Sequence, residues 1–488
     1  MQAQLARRSL LAALFTAAPD TSAALPPPDA VTHLLNRTSF GIDGYALARV
    51  GEIGRDAFID EQLHPAGVDD SALERLLGSF QTLSMSNAEI MRTYAAGDQS
   101  ARRVPQRQLR DATVLRQCYS RRQLLEVMVE FWSNHFNITH SEGRSRYYKT
   151  GDDRDVIRRF ALGRFGELLQ ASARSPAMLA YLDNASNVVD GPNENYAREL
   201  MELHTLGVDG GYTEGDVKEV ARCFTGWGIR NHEYHFFANR HDYGAKTVLG
   251  QVLPANRGEE DGVAVLDLLA AHPSTARFIA SKLLRRFVED APAAAQVDAI
   301  AAVFRQSQGD IRATLEAVLK SELFLAAADR KLRRPAEYVS ACLRTCAATI
   351  GGEHGLRIVT TALTAQGQAP LDWPAPNGYP DVQGYWLNTA ALLLRWNFAL
   401  ALFQRRIGAA LYVDAATLRG AANTPAGLVD SLADCLLHRP LTAYARTLLA
   451  DYAAAGGDPA AVLPPARLDS TTRELGALLL ASPYHQYR

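Results

Sequence analysis

The chain has 488 residues, 47% of them hydrophobic, and a formal net charge of −2. That is ample apolar material for a large core, and the near-neutral balance lacks the basic footprint of a nucleic-acid binder, so no nucleic-acid partner is expected. No apolar run reaches the roughly 18–20 residues needed to cross a bilayer, so no transmembrane segment is expected.

Residues 1–28 read as a signal or flexible N-terminus. Arg7-Arg8 precede the apolar run from Ser9 to Ala18, and small residues and Pro26-Pro27-Pro28 follow. The pattern fits an export signal cleaved near Ala23-Ala24, loosely of the twin-arginine kind. It fits equally an amphipathic helix ending before Pro19. Periplasmic and cytoplasmic locations both stay open.

Helical periodicity dominates after the proline break. Apolar residues at 124, 125, 127, 128, 131, 132 and 136 give segment 120–137 a helix period. Asp153 to Leu169 reads as one or two helices, capped by Asp152 or Asp153. Glu194 to Leu206 is a helix, and Thr213 with Asp216 resembles a capping box for a helix to about Phe224. Residues 229–253 break the pattern. Tyr234 to Phe237 and Lys246 to Gly250 suggest a small β-hairpin around a turn at Asn239 to Gly244. Helices are then expected over 259–271, 274–288, 293–307, 310–325, 335–350, 385–406, 425–437, 441–455 and 470–481. A Pro/Gly-rich loop at 367–384 is the one weak seam. The expected fold is mainly α, a single large multi-helix domain over 29–488 with a small β-hairpin insertion.

The five cysteines are scattered and spell no disulfide framework or zinc knuckle. Cys342 and Cys346, four residues apart on one helix, read as small buried side chains.

The densest chemistry lies on the 194–206 helix. Asn195, Glu199 and Glu202 form one stripe with Arg198 alongside, while His204 falls with Ala197 and Leu200 on the apolar side. The plain reading is a solvated ion-pair ladder, Glu194 to Arg198 to Glu202, worth about 0.3–0.5 kcal/mol per pair. The alternative is a pair of carboxylates that holds a divalent metal or serves as general acid and base, with Arg198 keeping them ionised. In the Phe131-Trp132-Ser133-Asn134-His135-Phe136 segment, His135 continues an interior stripe. It can complete a His-carboxylate site with Glu199 and Glu202, although the Glu-x-x-His order of di-iron bundles is absent. His204 is a core histidine or an axial haem ligand. The turn Asp209 to Asp216 resembles the second half of a calcium loop but lacks the acidic residues at its start. His241, Asp242 and Lys246 cluster on the hairpin turn, as solvated turn residues or as groups reaching into a cleft. Nucleophile-elbow, zincin and P-loop motifs are missing.

Several segments together resemble the bacterial "domain of unknown function 1800" family. They are Leu35-Asn36-Arg37-Thr38-Ser39-Phe40-Gly41, Phe131 to Phe136, Asn193 to Gly207, Ala221 to Trp227, His241-Asp242 with Lys246 to Gly250, Arg334-Pro335, and Pro374 to Gly378 with Trp386. The resemblance spans about residues 30–485. It implies a largely helical, often exported protein and a protein partner encoded nearby, but no reaction. The expectation drawn is a shared pocket of the 131–136 helix, the 194–204 helix and the 241–246 turn. Metal ligands there are His135, Glu199, Glu202 and His204, and catalytic groups Glu199, Glu202, Arg198, His241 and Asp242. Two rival readings stand beside it. One is a non-catalytic helical binding or assembly protein with a structural ion-pair network. The other is a haem or cofactor carrier using His135 or His204.

Overall fold

The computed structural model describes residues 25–141, 143–404 and 410–488. The N-terminal expectation for residues 7–24 therefore lies outside the described residues. What is described is mainly α-helical, with three sheets of two strands each among the described residues.

Two apolar cores organise the helices. The first gathers residues between Leu34 and Ala327, centred on Trp132, Phe136, Phe165 and Trp227. The second gathers residues from Ala336 to Tyr484, joined by Leu73, Val114, Leu115 and Cys118. The Val104–Tyr119 helix feeds the second core and leads at once into Gln123–His135, which feeds the first. Each core buries apolar area that drives folding at roughly 25 cal/mol per Å².

The 145–160 run is one continuous helical stretch that widens at Asp152–Ile157 into i→i−5 hydrogen bonding. Asp152 and Asp153 are not its caps; they lie buried inside it. Asp152 pairs with Lys149 at 2.6 Å and accepts from the Ser175 hydroxyl at 2.7 Å, while Asp153 accepts from Arg158 at 3.0 Å. Burial of these charges is tolerated because each is paired and hydrogen-bonded.

The expected capping box is present: Thr213 accepts from the Asp216 amide and Asp216 accepts from the Thr213 amide, opening the Glu214–Cys223 helix. The β insertion is two successive hairpins rather than one. Trp227–Arg230 pairs with Glu233–Phe236, and Lys246–Val248 pairs with Gln251–Leu253. Each turns on two residues at positive φ, Asn231-His232 and Leu249-Gly250. Such turns match strand twist and close a hairpin in two residues, so the expected 239–244 turn is instead the link between hairpins. The expected 385–406 helix is likewise broken, because Asn388 caps a fresh start at Thr389.

Cys342 and Cys346 are free and buried in the second core, as the spacing suggests, and burial pushes the Cys342 thiol up to about 12. No single helix among the described residues is long and apolar enough to cross a membrane.

Candidate functional site

The residues singled out from the sequence fall into three clusters. On the 195–205 helix, the buried positions are Tyr196, Ala197, Leu200, Met201, His204 and Thr205. They recur every four residues because Leu200–Thr205 is wound with i→i−5 bonds, such as Leu206 N–H to the Met201 carbonyl at 2.9 Å. Glu199 and Glu202 stand half-buried on the other side. Burial and the Glu202 charge raise the Glu199 carboxyl above its usual range. Arg198 pairs with Glu194 as expected, at 3.3 Å, but its other partner is Glu214 at 2.7 Å and not Glu202.

The second cluster surrounds the 241–246 segment, and it is buried rather than solvated. His241 Nδ1–H donates to the Thr225 carbonyl at 2.7 Å, and Nε2 faces Asp261 at 3.2 Å. Lys246 also reaches Asp261, at 2.7 Å. Asp242 is clamped by Arg222 at 2.7 and 3.2 Å. The Phe224-Thr225-Gly226-Trp227 turn supplies the frame. Gly226 sits at φ +82°, and a Cβ there would lie 2.7 Å from the Phe237 carbonyl, so only glycine suits both demands. The Ala221–Trp227 and His241–Gly250 segments are thus two halves of one buried polar cluster.

The third cluster brings together His135 and His204. His135 Nε2–H donates to the His204 carbonyl at 3.0 Å, and Lys282 Nζ donates to His135 Nδ1 at 2.8 Å. A carbonyl only accepts, which fixes the His135 tautomer. Burial and the Lys282 charge hold His135 well below the usual histidine range, so it is neutral. His204 packs on Phe136 with ring centroids 5.0 Å apart, and burial pushes it down to about 3. His135 thus meets the 195–205 helix through the His204 backbone, and its ring nitrogens are taken by groups other than Glu199 and Glu202. Among the described residues, no group of three or more His, Cys, Asp or Glu side chains is placed to hold a metal ion.

His135 lines a cavity of about 290 Å³ beside the first core. Glu130, Asn134, Lys282, Arg285, Arg334, Tyr379 and Asp381 share its wall. None but His135 was singled out for chemistry from the sequence. Its roof is the Pro/Gly-rich 367–384 loop. Asn134 Nδ2 donates to the Tyr379 carbonyl at 2.8 Å and Asn134 Oδ1 accepts from the Tyr379 amide at 2.6 Å. Asn137 donates to the Trp373 and Ala375 carbonyls at 2.9 and 2.7 Å. Gly378 has φ +70°, and a Cβ there would run into the Asn134 backbone and lie 2.7 Å from its Oδ1. The Pro374–Gly378 motif thus seats on the 131–137 segment.

The rear wall is a buried ion network. Glu337 accepts from Arg286, from Arg334 at 2.9 Å and from Arg488 at 2.8 Å. These arginines hold its carboxyl well below the usual range. Arg334 also binds Glu130 at 2.8 Å, and Lys331 binds Asp290 and Asp381 at 2.5 and 3.1 Å. The Leu35–Gly41 motif plugs into the same network: Arg333 donates to Asn36 Oδ1 at 2.5 Å, and Arg488 to the Asn36 carbonyl at 3.3 Å.

Lys282 is the outlier in this wall. It has no carboxylate partner at ion-pair distance among the described residues, and its Nζ also lies 5.3 Å from the Phe278 ring centroid. Burial, helped by Arg285, lowers its amine to about 7, against the pull of Asp381.

A mainly helical protein with a polar cavity walled by buried ion pairs is the class these features define. Residues 33–487 match the family described as protein of unknown function (DUF1800), and the chain belongs to that family. No curated protein and no solved structure matches it.

Proposed function

We propose that this protein is an enzyme whose active site is the cavity beneath the 373–382 loop, with the Lys282 amine as its base or nucleophile. The observation that carries this reading is the Lys282–His135 pair at the cavity wall. An ordinary lysine is protonated at neutral pH and unreactive, whereas one poised at about 7 is half neutral there and can take a proton or attack. Neutral His135 holds the amine by its Nδ1 lone pair and is itself fixed by the His204 carbonyl, so the pair is preorganised. Groups placed in a cleft with strongly shifted ionisation are where function concentrates. The Glu199/Glu202 stripe lies outside this wall, and so do the Arg222–Asp242 and His241–Asp261 pairs.

Competitive labelling tests the reading directly. The folded protein is treated with trace acetic anhydride across pH 6–11, about one unit at a time, and acetylation of each lysine is read by peptide mass spectrometry. Lys282 is expected to follow a midpoint near 7. A midpoint in the ordinary lysine range, about 10.4, overturns the proposal.

A further inference from the structure

The cavity wall carries a charge pattern that points to a ligand class. Five ionisable side chains share the cavity wall with Lys282. They are Arg285 on its own helix, Glu130 and His135 on Gln123–His135, Arg334 at the head of Pro335–Thr345, and Asp381 on the loop. Glu130 is taken by Arg334, and Asp381 by Lys331 with Arg286 and Arg334 each at 3.9 Å. Both carboxylates are therefore already neutralised from behind. Arg285 differs: its Nε donates to the Asp290 carbonyl at 3.1 Å, and it makes no ion pair among the described residues. Lys282 and Arg285 are three residues apart on the Pro273–Phe287 helix, so they point to one side of it. The pocket thus offers a planar, always-charged fork and, one turn away, an amine.

Resting on the reading of Lys282 as the reactive amine, we infer that the cavity takes a small carbonyl compound bearing a carboxylate, held by Arg285 and joined to Lys282 as an imine. The neutral Nζ lone pair adds to the carbonyl carbon while the carbonyl oxygen takes up a proton. The carbinolamine then loses that oxygen as water, leaving a protonated C=Nζ bond. Every atom comes from amine, ligand and solvent protons, so no oxidant or reductant is needed. Its positive charge lies where the Lys282 ammonium lay. Asn377 at the exposed rim and the half-buried Tyr379 and Val382 leave the cavity open to a ligand of this size.

Reductive trapping with pyruvate as the probe tests this. The full chain is incubated with pyruvate and sodium cyanoborohydride, whose hydride reduces the imine to a stable secondary amine. The adduct is then mapped by peptide mass spectrometry. The expected result is a single adduct on Lys282. It falls about tenfold or more in Arg285→Gln, because a lost charge-assisted hydrogen bond is worth about 1.5–3 kcal/mol. Hydroxyacetone, which lacks the carboxylate, should label Lys282 weakly and to the same extent in both proteins. No adduct on Lys282, adducts spread evenly over exposed lysines, or equal pyruvate labelling in Arg285→Gln overturns the inference. If acetylation still shows a midpoint near 7 while trapping fails, the imine is wrong and the reactive amine stands. If both fail, the active-site reading falls as well.

Discussion

Lys282 carries a burden that its removal should reveal. Its amine sits at about 7 when folded and about 10.4 when unfolded. Below pH 7 both states hold the proton, so the full penalty of the desolvated ammonium is present. Between the two values the folded chain has released the proton that the unfolded chain keeps, and stability rises with pH. Lys282→Met removes this penalty while preserving most of the side-chain volume. The stabilisation it confers should be larger at pH 6 than at pH 9.5, with a ceiling of about 5 kcal/mol, read by thermal unfolding at both values. An equal effect at both would mean the amine is not shifted. Glu337 is the opposite case. Its carboxylate is the shared acceptor of Arg286, Arg334 and Arg488. Glu337→Gln leaves buried guanidinium groups uncompensated, and a loss of about 3–5 kcal/mol in urea unfolding is expected. Glu202→Gln, on the half-buried outer face, should change stability by no more than about 0.5 kcal/mol.

At the scale of elements, the loop over the cavity is held by two asparagine amides that imitate backbone pairing. Asn134 gives the Tyr379 peptide both a donor and an acceptor. Gly378→Ala forces a Cβ against Asn134 at a positive φ, which costs about 1–3 kcal/mol in strain and displacement. Limited proteolysis should then cut within 373–382 faster than in the unaltered protein, while the buried Cys342–Cys346 segment keeps its protection. If cutting rates are unchanged, Asn134 is not what seats the loop. The same segments show how far sequence reaches. The Gln123–His135 and 195–205 helices were legible from periodicity, and so was the interior aim of His135. Its partner was not: Lys282 lies 147 residues away and reads, with Arg285 and Arg286, as ordinary basic residues in the last turns of an amphipathic helix. The hairpin turns at Asn231-His232 and Leu249-Gly250 lack the Asn-Gly signature, so the strands on either side were paired with the wrong neighbours. Arg334-Pro335 and Pro374–Gly378 were visible as motifs, but only tertiary packing tells that they meet at one cavity.

Across the whole molecule, histidines buried in neutral form set a common acid limit. Burial lowers His33 and His140 to about 4 and His204 to about 3, and holds His135 and His485 well below the ordinary value. Once unfolded, each returns to about 6.5. As pH falls below that value the unfolded chain binds protons that the folded chain refuses, so every one of these groups lowers stability in the same direction. Glu337 and Asp381 add to the loss near the ordinary carboxylate range, because their arginine and lysine partners hold them below it only in the folded state. They bridge the two cores, since Arg286 belongs to the first half and Glu337 and Asp381 to the second. Near pH 5 each histidine that is charged only in the unfolded chain contributes a slope of about 1.36 kcal/mol per pH unit, and the contributions share one sign. A domain stable by only about 5–15 kcal/mol does not survive that for long. The melting temperature should therefore drift down gently from pH 8 to about 6.5, as Lys282 takes up its proton, and then fall steeply, with both cores lost in one transition. His204→Phe, which keeps the aromatic packing on Phe136 without a titrating ring, should shallow the fall. A melting temperature that stays level from pH 7 to pH 5 would show that these rings titrate alike in both states, and the neutral His135 on which the Lys282 amine rests would go with it.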